Sequence, residues 1–168
     1  MPHGGLAARR LRVITVDRAR VHASIERVFG AARDVERWPE LLPHYRWVRF
    51  RERRGEGGGG LVEMAAWRPF LGALRWPTWW MSEMTIEPAT PRILYRHVRG
   101  ITTGMDVAWD FANEDDCVLV TVTHWWDGPG WPLIGELAAE AVIGPVFVHG
   151  IASRTLAGIA RAVERKDG

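Results

Sequence analysis

Apolar and polar residues alternate along most of this chain with a period of two, and only in two regions does the period lengthen to that of a helix. Residues 11–21 (LRVITVDRARV) alternate well enough for a first strand. The run from Val21 to Tyr45, VHASIERVFGAARDVERWPELLPHY, then breaks the alternation. Ser24 is a good N-cap, and Ile25, Val28, Phe29 and Ala32 fall on one side of the helix that follows it. A second short helical piece, DVERWPELLP, closes on Pro43. Alternation resumes at 46–54 and returns over 61–68, 73–87, 93–99, 105–113 and 117–126. The run GEGGGG at 55–60 predicts a hairpin loop, since Gly permits the positive φ that hairpin turns need. A phosphate-cradling loop would need a Lys-Ser/Thr pair and a following helix, and the sequence offers neither. Pro77 predicts that the first part of 73–87 is an edge, a bulge or a loop.

Short strands at steady spacing indicate one antiparallel meander. DGPGWP at 127–132 is turn chemistry, 133–143 reads as helical, and Gly144-Pro145 restarts a helix over about 145–165. Phe147, Ile151, Ile159 and Val163 recur at helical spacing in this last segment, which is long enough to lie across the concave face of a sheet. The expected class is therefore α+β: a curved antiparallel sheet of six to seven strands around a long C-terminal helix, with two short helices after the first strand. Residues 1–10 read as a flexible tail and 11–168 as a single domain without internal repeats.

Composition changes this picture in one respect. Apolar residues at 47% and charged residues at 25% are ordinary, but ten Trp are more than core packing requires. Some of them are expected to line a cavity rather than fill a core. The net charge of +2 is small. The Arg cluster at 46, 49, 51, 53 and 54 has the spacing of a solvated strand face, and no nucleic-acid motif accompanies it. No nucleic-acid partner is expected. The single Cys117 excludes an internal disulfide and agrees with a reducing compartment. There is no run of about 18 apolar residues for a membrane span, and MPHGGLAARR lacks the apolar stretch of a secretory signal, so a cytoplasmic location is expected.

Candidate chemistry is sparse. The six His lack the close pairing of zinc sites, and no serine-hydrolase, zinc-protease or dinucleotide fingerprint is present, so neither metal nor cofactor is expected. Tyr95, His97 and Arg99 share one parity on the fifth strand and would make an acid/base and oxyanion set if that face looked inward; the alternative is an exposed strand face. His124 shares its face with Val118, Val120, Val122 and Trp126, which suits a cavity wall and a general base, or else a hydrogen-bonded core histidine. Asp106 and Asp110 alternate with apolar neighbours and are expected to face water, and His149 early in the last helix is open to either role. Trp67, Trp76, Trp79, Trp80, Trp109, Trp125 and Trp126 lie on strands, where alternation forbids both members of a neighbouring pair from facing in.

The strand, helix, short helix, strand opening resembles the START-like (SRPBCC) superfamily of helix-grip proteins, most closely its polyketide cyclase/dehydrase and lipid-transport branch. The resemblance covers roughly residues 11–165 and is most specific in DVERWPELLPHY at 34–45. It implies a deep cavity between the sheet and the last helix, with Trp38, Trp67, Trp80, Met84, Tyr95, His97, Trp109, Trp126, Phe147 and Ile151 as ligand-binding candidates. Members that cyclise polyketides carry a cavity-facing Tyr after this motif, where Tyr45 stands, and an inward Arg on the fourth strand. The matching stretch here is WWMSEMTI, with Met84 or a neighbour at the position of that Arg. Arg68, at the end of the third strand, is the replacement cation if it turns inward rather than into solvent. The resemblance thus implies a binder of a hydrophobic polyketide, quinone, lipid or isoprenoid. An aromatase/cyclase using Tyr45, His124 and Arg68 to move protons is the second reading. The third is an interaction module with exposed Trp, in which Trp131 meets a protein or a membrane surface. A homodimer is among the assemblies open to such a chain.

Overall fold

The computed structural model describes residues 13–55, 57–70, 74–127 and 145–165. Strand β1 (Val13–Val21) is followed by α1 (Ile25–Arg33), a 3-10 turn (Val35–Arg37) and the single-turn helix α2 (Trp38–Leu41). Six strands come next: β2 (Tyr45–Arg54), β3 (Gly59–Phe70), β4 (Leu74–Glu87), β5 (Arg92–Gly100), β6 (Asp106–Glu114) and β7 (Cys117–Trp126). Helix α3 (Pro145–Glu164) follows. The strands form one sheet in the order β1-β7-β6-β5-β4-β3-β2, and every neighbouring pair is antiparallel. This is the antiparallel meander that the alternation predicts, in the α+β helix-grip arrangement that the resemblance implies. The tail, the helix expected over 133–143 and Trp131 lie outside the described residues.

The period of two builds the two faces of the sheet. Val62, Met64, Trp80, Met84, Ile93, Tyr95, Val107, Trp109, Phe111, Val118, Val120 and Val122 turn inward and are buried together. Polar partners occupy the outer face, where Asp106 and Asp110 pair with Arg96 and Arg92. Each fully buried large side chain contributes about 1.5–3 kcal/mol, so a slip of one residue would exchange the faces at great cost.

Ser24 caps α1 by accepting from the Arg27 N–H, and the helix buries Val28, Phe29 and Ala32. Phe29 meets Phe111 of β6 edge-on, with ring centroids 5.3 Å apart. The second helical piece is not continuous. Pro39 has no N–H and is tolerated only in a first turn, so DVERWPELLP divides into the 3-10 turn and a new helix beginning at Trp38. The Trp38 indole N–H donates to Ala31 O at 3.1 Å, and Leu42 N–H bonds back to Trp38 O at 2.7 Å. The first of these bonds ties α2 to α1, and the second closes the single turn of α2.

Strand β4 overhangs its neighbour. It pairs with β3 from Leu74 onward, but with β5 only from Trp80. Pro77, opposite Trp67, therefore lies in an edge segment where no ladder bond is lost on the open side. Gly100 faces Trp80 across this junction at φ +95, and a Cβ there would sit 2.4 Å from the Trp79 carbonyl oxygen. Only Gly satisfies both the conformation and the approach.

Candidate functional site

A cavity lies between the inner face of the sheet and α3. Trp38 of α2, Tyr45 of β2 and Trp80 of β4 form one side of it. Tyr95 and His97 of β5, Trp109 of β6 and His124 of β7 continue the wall, and Ile151, Ala152 and Thr155 of α3 cover it. Met64, Thr102, Met105, Val107 and Val122 fill the gaps between them. Its free volume is about 70 Å³, several times the roughly 10–15 Å³ that a single water needs by the same measure.

The aromatic wall is assembled from mutual contacts. Trp38 packs edge-on against Tyr45 at 5.2 Å and lies 5.7 Å from Trp109. Tyr45 in turn meets Trp80 at 6.2 Å, and the His97 ring stacks on Trp80 at 6.1 Å with only 13° between the planes. Offset ring contacts of this kind add to area burial and lock each side chain in one orientation.

The polar groups are few and mostly tied to threonines. The loop after β5 folds back on its own strand, with His97 N–H to Met105 O and Gly104 N–H to His97 O, both at 2.9 Å. This places the buried Thr102 hydroxyl 2.5 Å from His97 Nδ1. Across the cavity, His124 Nδ1 lies 3.3 Å from the Thr15 hydroxyl. His44, beside Tyr45, has Nε2 3.1 Å from Thr155 Oγ1, whose own hydrogen is given to Ile151 O at 2.8 Å. Nε2 must therefore be the protonated nitrogen and donate. Burial, with the nearby Arg154 charge, lowers the His44 pKa to about 4 and keeps the ring neutral. Burial pushes the Tyr95 phenol well above its usual value, with Tyr45 adding to the effect, so it stays a neutral donor. No Lys or Arg side chain is among the described residues lining the cavity.

Of the residues expected from sequence, Trp38, Tyr45, Trp80, Tyr95, His97, Trp109, His124 and Ile151 meet at this one cavity. Met84 and Trp126 face inward but are packed in the core, where the Trp126 indole donates to Thr103 O at 3.2 Å. Trp67 is a correction. It shares parity with Glu63 and Ala65, opposite to Met64 and Ala66, and stands on the outer face beneath the Arg46 guanidinium at 4.7 Å. The side chains of Arg68 and Phe147 lie outside the described residues.

A second correction concerns Arg99. Strand parity groups it with Tyr95 and His97, but Ser82 pairs with His97 while the adjacent Met81 pairs with Arg99, so one extra residue bulges at Val98. That bulge turns Arg99 out into solvent and leaves Tyr95 and His97 facing in. Nor is the Tyr95–His97 face the exposed one that an isolated strand would suggest. His149 takes neither expected role at the cavity and pairs instead with the buried Asp17 of β1. The residues missed from sequence are His44, Thr102 and Thr155, each visible only once the loop and α3 are in place.

Residues 21–165 match the family model for polyketide cyclase / dehydrase and lipid transport. No curated protein matches the chain. Among solved structures, the Zhui aromatase/cyclase from Streptomyces sp. R1128 is similar with a TM-score of 0.71 and 17% identity, covering 94% of this chain and 97% of that one. A START superfamily protein from Mycobacterium smegmatis has a TM-score of 0.70 at 14% identity, covering 91% of this chain and 98% of its own. Major latex-like protein 151 from Panax ginseng has 0.65 at 10%, again covering 91% of this chain and 98% of that one. Likeness at such identities establishes the fold, and the chemistry has to come from the site itself.

Proposed function

Because the chain belongs to the polyketide cyclase / dehydrase and lipid-transport family, we propose that it binds a hydrophobic small molecule in the aromatic cavity beneath α3. A polyketide, a quinone, a lipid or an isoprenoid fits this description. The observation that carries the reading is the wall itself: Trp38, Tyr45, Trp80 and Trp109 on one enclosed surface, with no cation among the described lining residues. Such a wall holds a planar ligand by stacking and by exclusion of water, and its few hydrogen-bonding groups orient that ligand.

The test is to purify the protein from its native host, denature it, and identify any bound small molecule by mass spectrometry. Titration of the Trp emission with quinones, fatty acids and aromatic polyketides follows. A stoichiometric apolar ligand that quenches the emission supports the reading, and an empty protein indifferent to all three classes sinks it.

Aromatase/cyclase catalysis is the second reading, favoured by His97 and His124 lining the same cavity as Tyr45 and Tyr95. It requires a pH–rate profile that one of those histidines controls. The interaction reading has little support among the residues whose burial is described, where Trp38, Trp47, Trp67, Trp79, Trp80, Trp109, Trp125 and Trp126 are buried or half-buried; the large exposed apolar side chains are Ile14, Val16 and Val98.

A further inference from the structure

Four described side chains bury a polar atom that has no hydrogen-bond partner, Asp17, Ser82, Arg92 and Tyr95, although the Arg92 Nε is ion-paired with Asp110 at 2.9 Å. Tyr95 alone among them lines the cavity. Its side chain shares the cavity lining with Trp80 and His97, and its hydroxyl is buried with nothing to donate to. An orphaned buried hydroxyl is costly, and each such group in a folded protein calls for an explanation. Packing does not supply one, since Phe fills nearly the same space without the cost.

We propose that the Tyr95 hydroxyl is the polar anchor of the cavity, donating a hydrogen bond to a neutral carbonyl oxygen of a flat ketone or quinone. This rests on the cavity being a ligand site and goes further by assigning the ligand's functional group and charge. Among the described lining residues, the Tyr95 hydroxyl is the buried side-chain polar atom without a partner, whereas the hydroxyls of Thr102 and Thr155 are engaged with His97 and with Ile151 O. Neutrality follows from the surroundings. A carboxylate here would meet no Lys or Arg among the described lining residues; only His97 or His124 could answer it, and only by taking up a proton, whereas a neutral carbonyl needs no counter-charge. A hydrocarbon would bind through the aromatic wall but leave the hydroxyl orphaned.

The experiment uses three probes on one bicyclic skeleton: 1-tetralone, tetralin and tetralin-1-carboxylate. Each is titrated calorimetrically into the wild-type protein and into Tyr95→Phe, and the infrared carbonyl stretch of bound tetralone is recorded. The wild-type protein should bind tetralone roughly tenfold more tightly than tetralin, the worth of one hydrogen bond that also satisfies a buried donor. Its carbonyl stretch should shift down relative to tetralone in hydrocarbon solvent. In Tyr95→Phe the two affinities should converge on that of tetralin and the shift should vanish, while the carboxylate binds neither protein. Equal binding of ketone and hydrocarbon by the wild-type protein, a ketone advantage that survives in Tyr95→Phe, or tight carboxylate binding would each overturn the anchor while leaving the cavity reading intact. Failure of all three probes to bind would overturn the cavity reading and the anchor with it. The infrared shift in the wild-type protein reads the hydrogen bond directly and does not depend on the variant folding.

Discussion

Three helical glycines give the sharpest test of how α3 is seated over the cavity. Gly158 of α3 faces Leu42, which is wholly buried at the end of α2. A Cβ at position 158 would lie 2.1 Å from Leu42 Cδ2 and 3.6 Å from its Cγ. Carbon atoms prefer about 3.5–4.0 Å, so Gly158→Ala is short by about 1.5 Å against a side chain with no free space to enter. Ala gains up to about 1 kcal/mol over Gly in a helix interior, while overpacking costs about 1–3 kcal/mol. A clash this deep belongs at the upper end, and the net expectation is a loss of about 1–2 kcal/mol. At Gly30 of α1 and Gly150 of α3, a Cβ would meet no heavy atom within 4 Å. Ala at either site should therefore stabilise by about 0.5–1 kcal/mol.

Urea unfolding followed by Trp emission reads all three differences, provided the slopes agree among variants. The Leu42 contact is then isolated by a double-mutant cycle. Leu42→Ala should cost about 2–5 kcal/mol alone, but once it is made, adding Gly158→Ala should be neutral or stabilising. If Gly158→Ala stabilises as much as the Gly30 and Gly150 changes, or shows no coupling to Leu42, the close seating of α3 on α2 is wrong.

Two further predictions concern pH. Burial raises the Asp17 carboxyl above its usual range, partly offset by His149, so His149→Ala should destabilise by about 1 kcal/mol near neutral pH. That loss should fade as the pH falls through the raised Asp17 range, because a protonated carboxyl needs no counter-charge; a loss independent of pH would refute the pairing. His44 titrates at about 4 in the folded chain against 6.5 in the unfolded one. The unfolded state therefore takes up the proton first, and stability that is whole above pH 6.5 declines on acidification toward about 4. The slope is below about 1.4 kcal/mol per pH unit, since water screens a partly exposed ring. His44→Gln should flatten the stability profile across that window, as measured by urea unfolding at stepped pH.

The fold was largely legible because its main signal is local. Alternation and the capped run after Ser24 specify elements that burial then enforces, and the expected strand 117–126 coincides with β7. Helix boundaries suffered where one residue vetoes a pattern, as Pro39 does in DVERWPELLP. The site was legible only as far as parity carries. Tyr45, Trp80, Trp109 and His124 follow from alternation once one inward residue per strand is known. Trp67 was misplaced because nothing local says which of two faces is concave. Thr102 and Thr155 were invisible for another reason. Their roles depend on a loop folding back and a helix crossing the sheet: Thr102 lies in a loop without periodicity, and Thr155 stands on the stripe of Ile151, Ile159 and Val163, where spacing alone does not mark a hydroxyl as facing a cavity.

The bulge at Val98 has a consequence for comparing relatives. It leaves the composition of β5 untouched, yet decides whether the Arg99 guanidinium turns toward the cavity or into solvent. Of two chains with the same Tyr, His and Arg at aligned positions, the one whose strand runs straight would present a fixed cation to the cavity and the other would not. Counting conserved cations in an alignment would class them together; the backbone path would separate them.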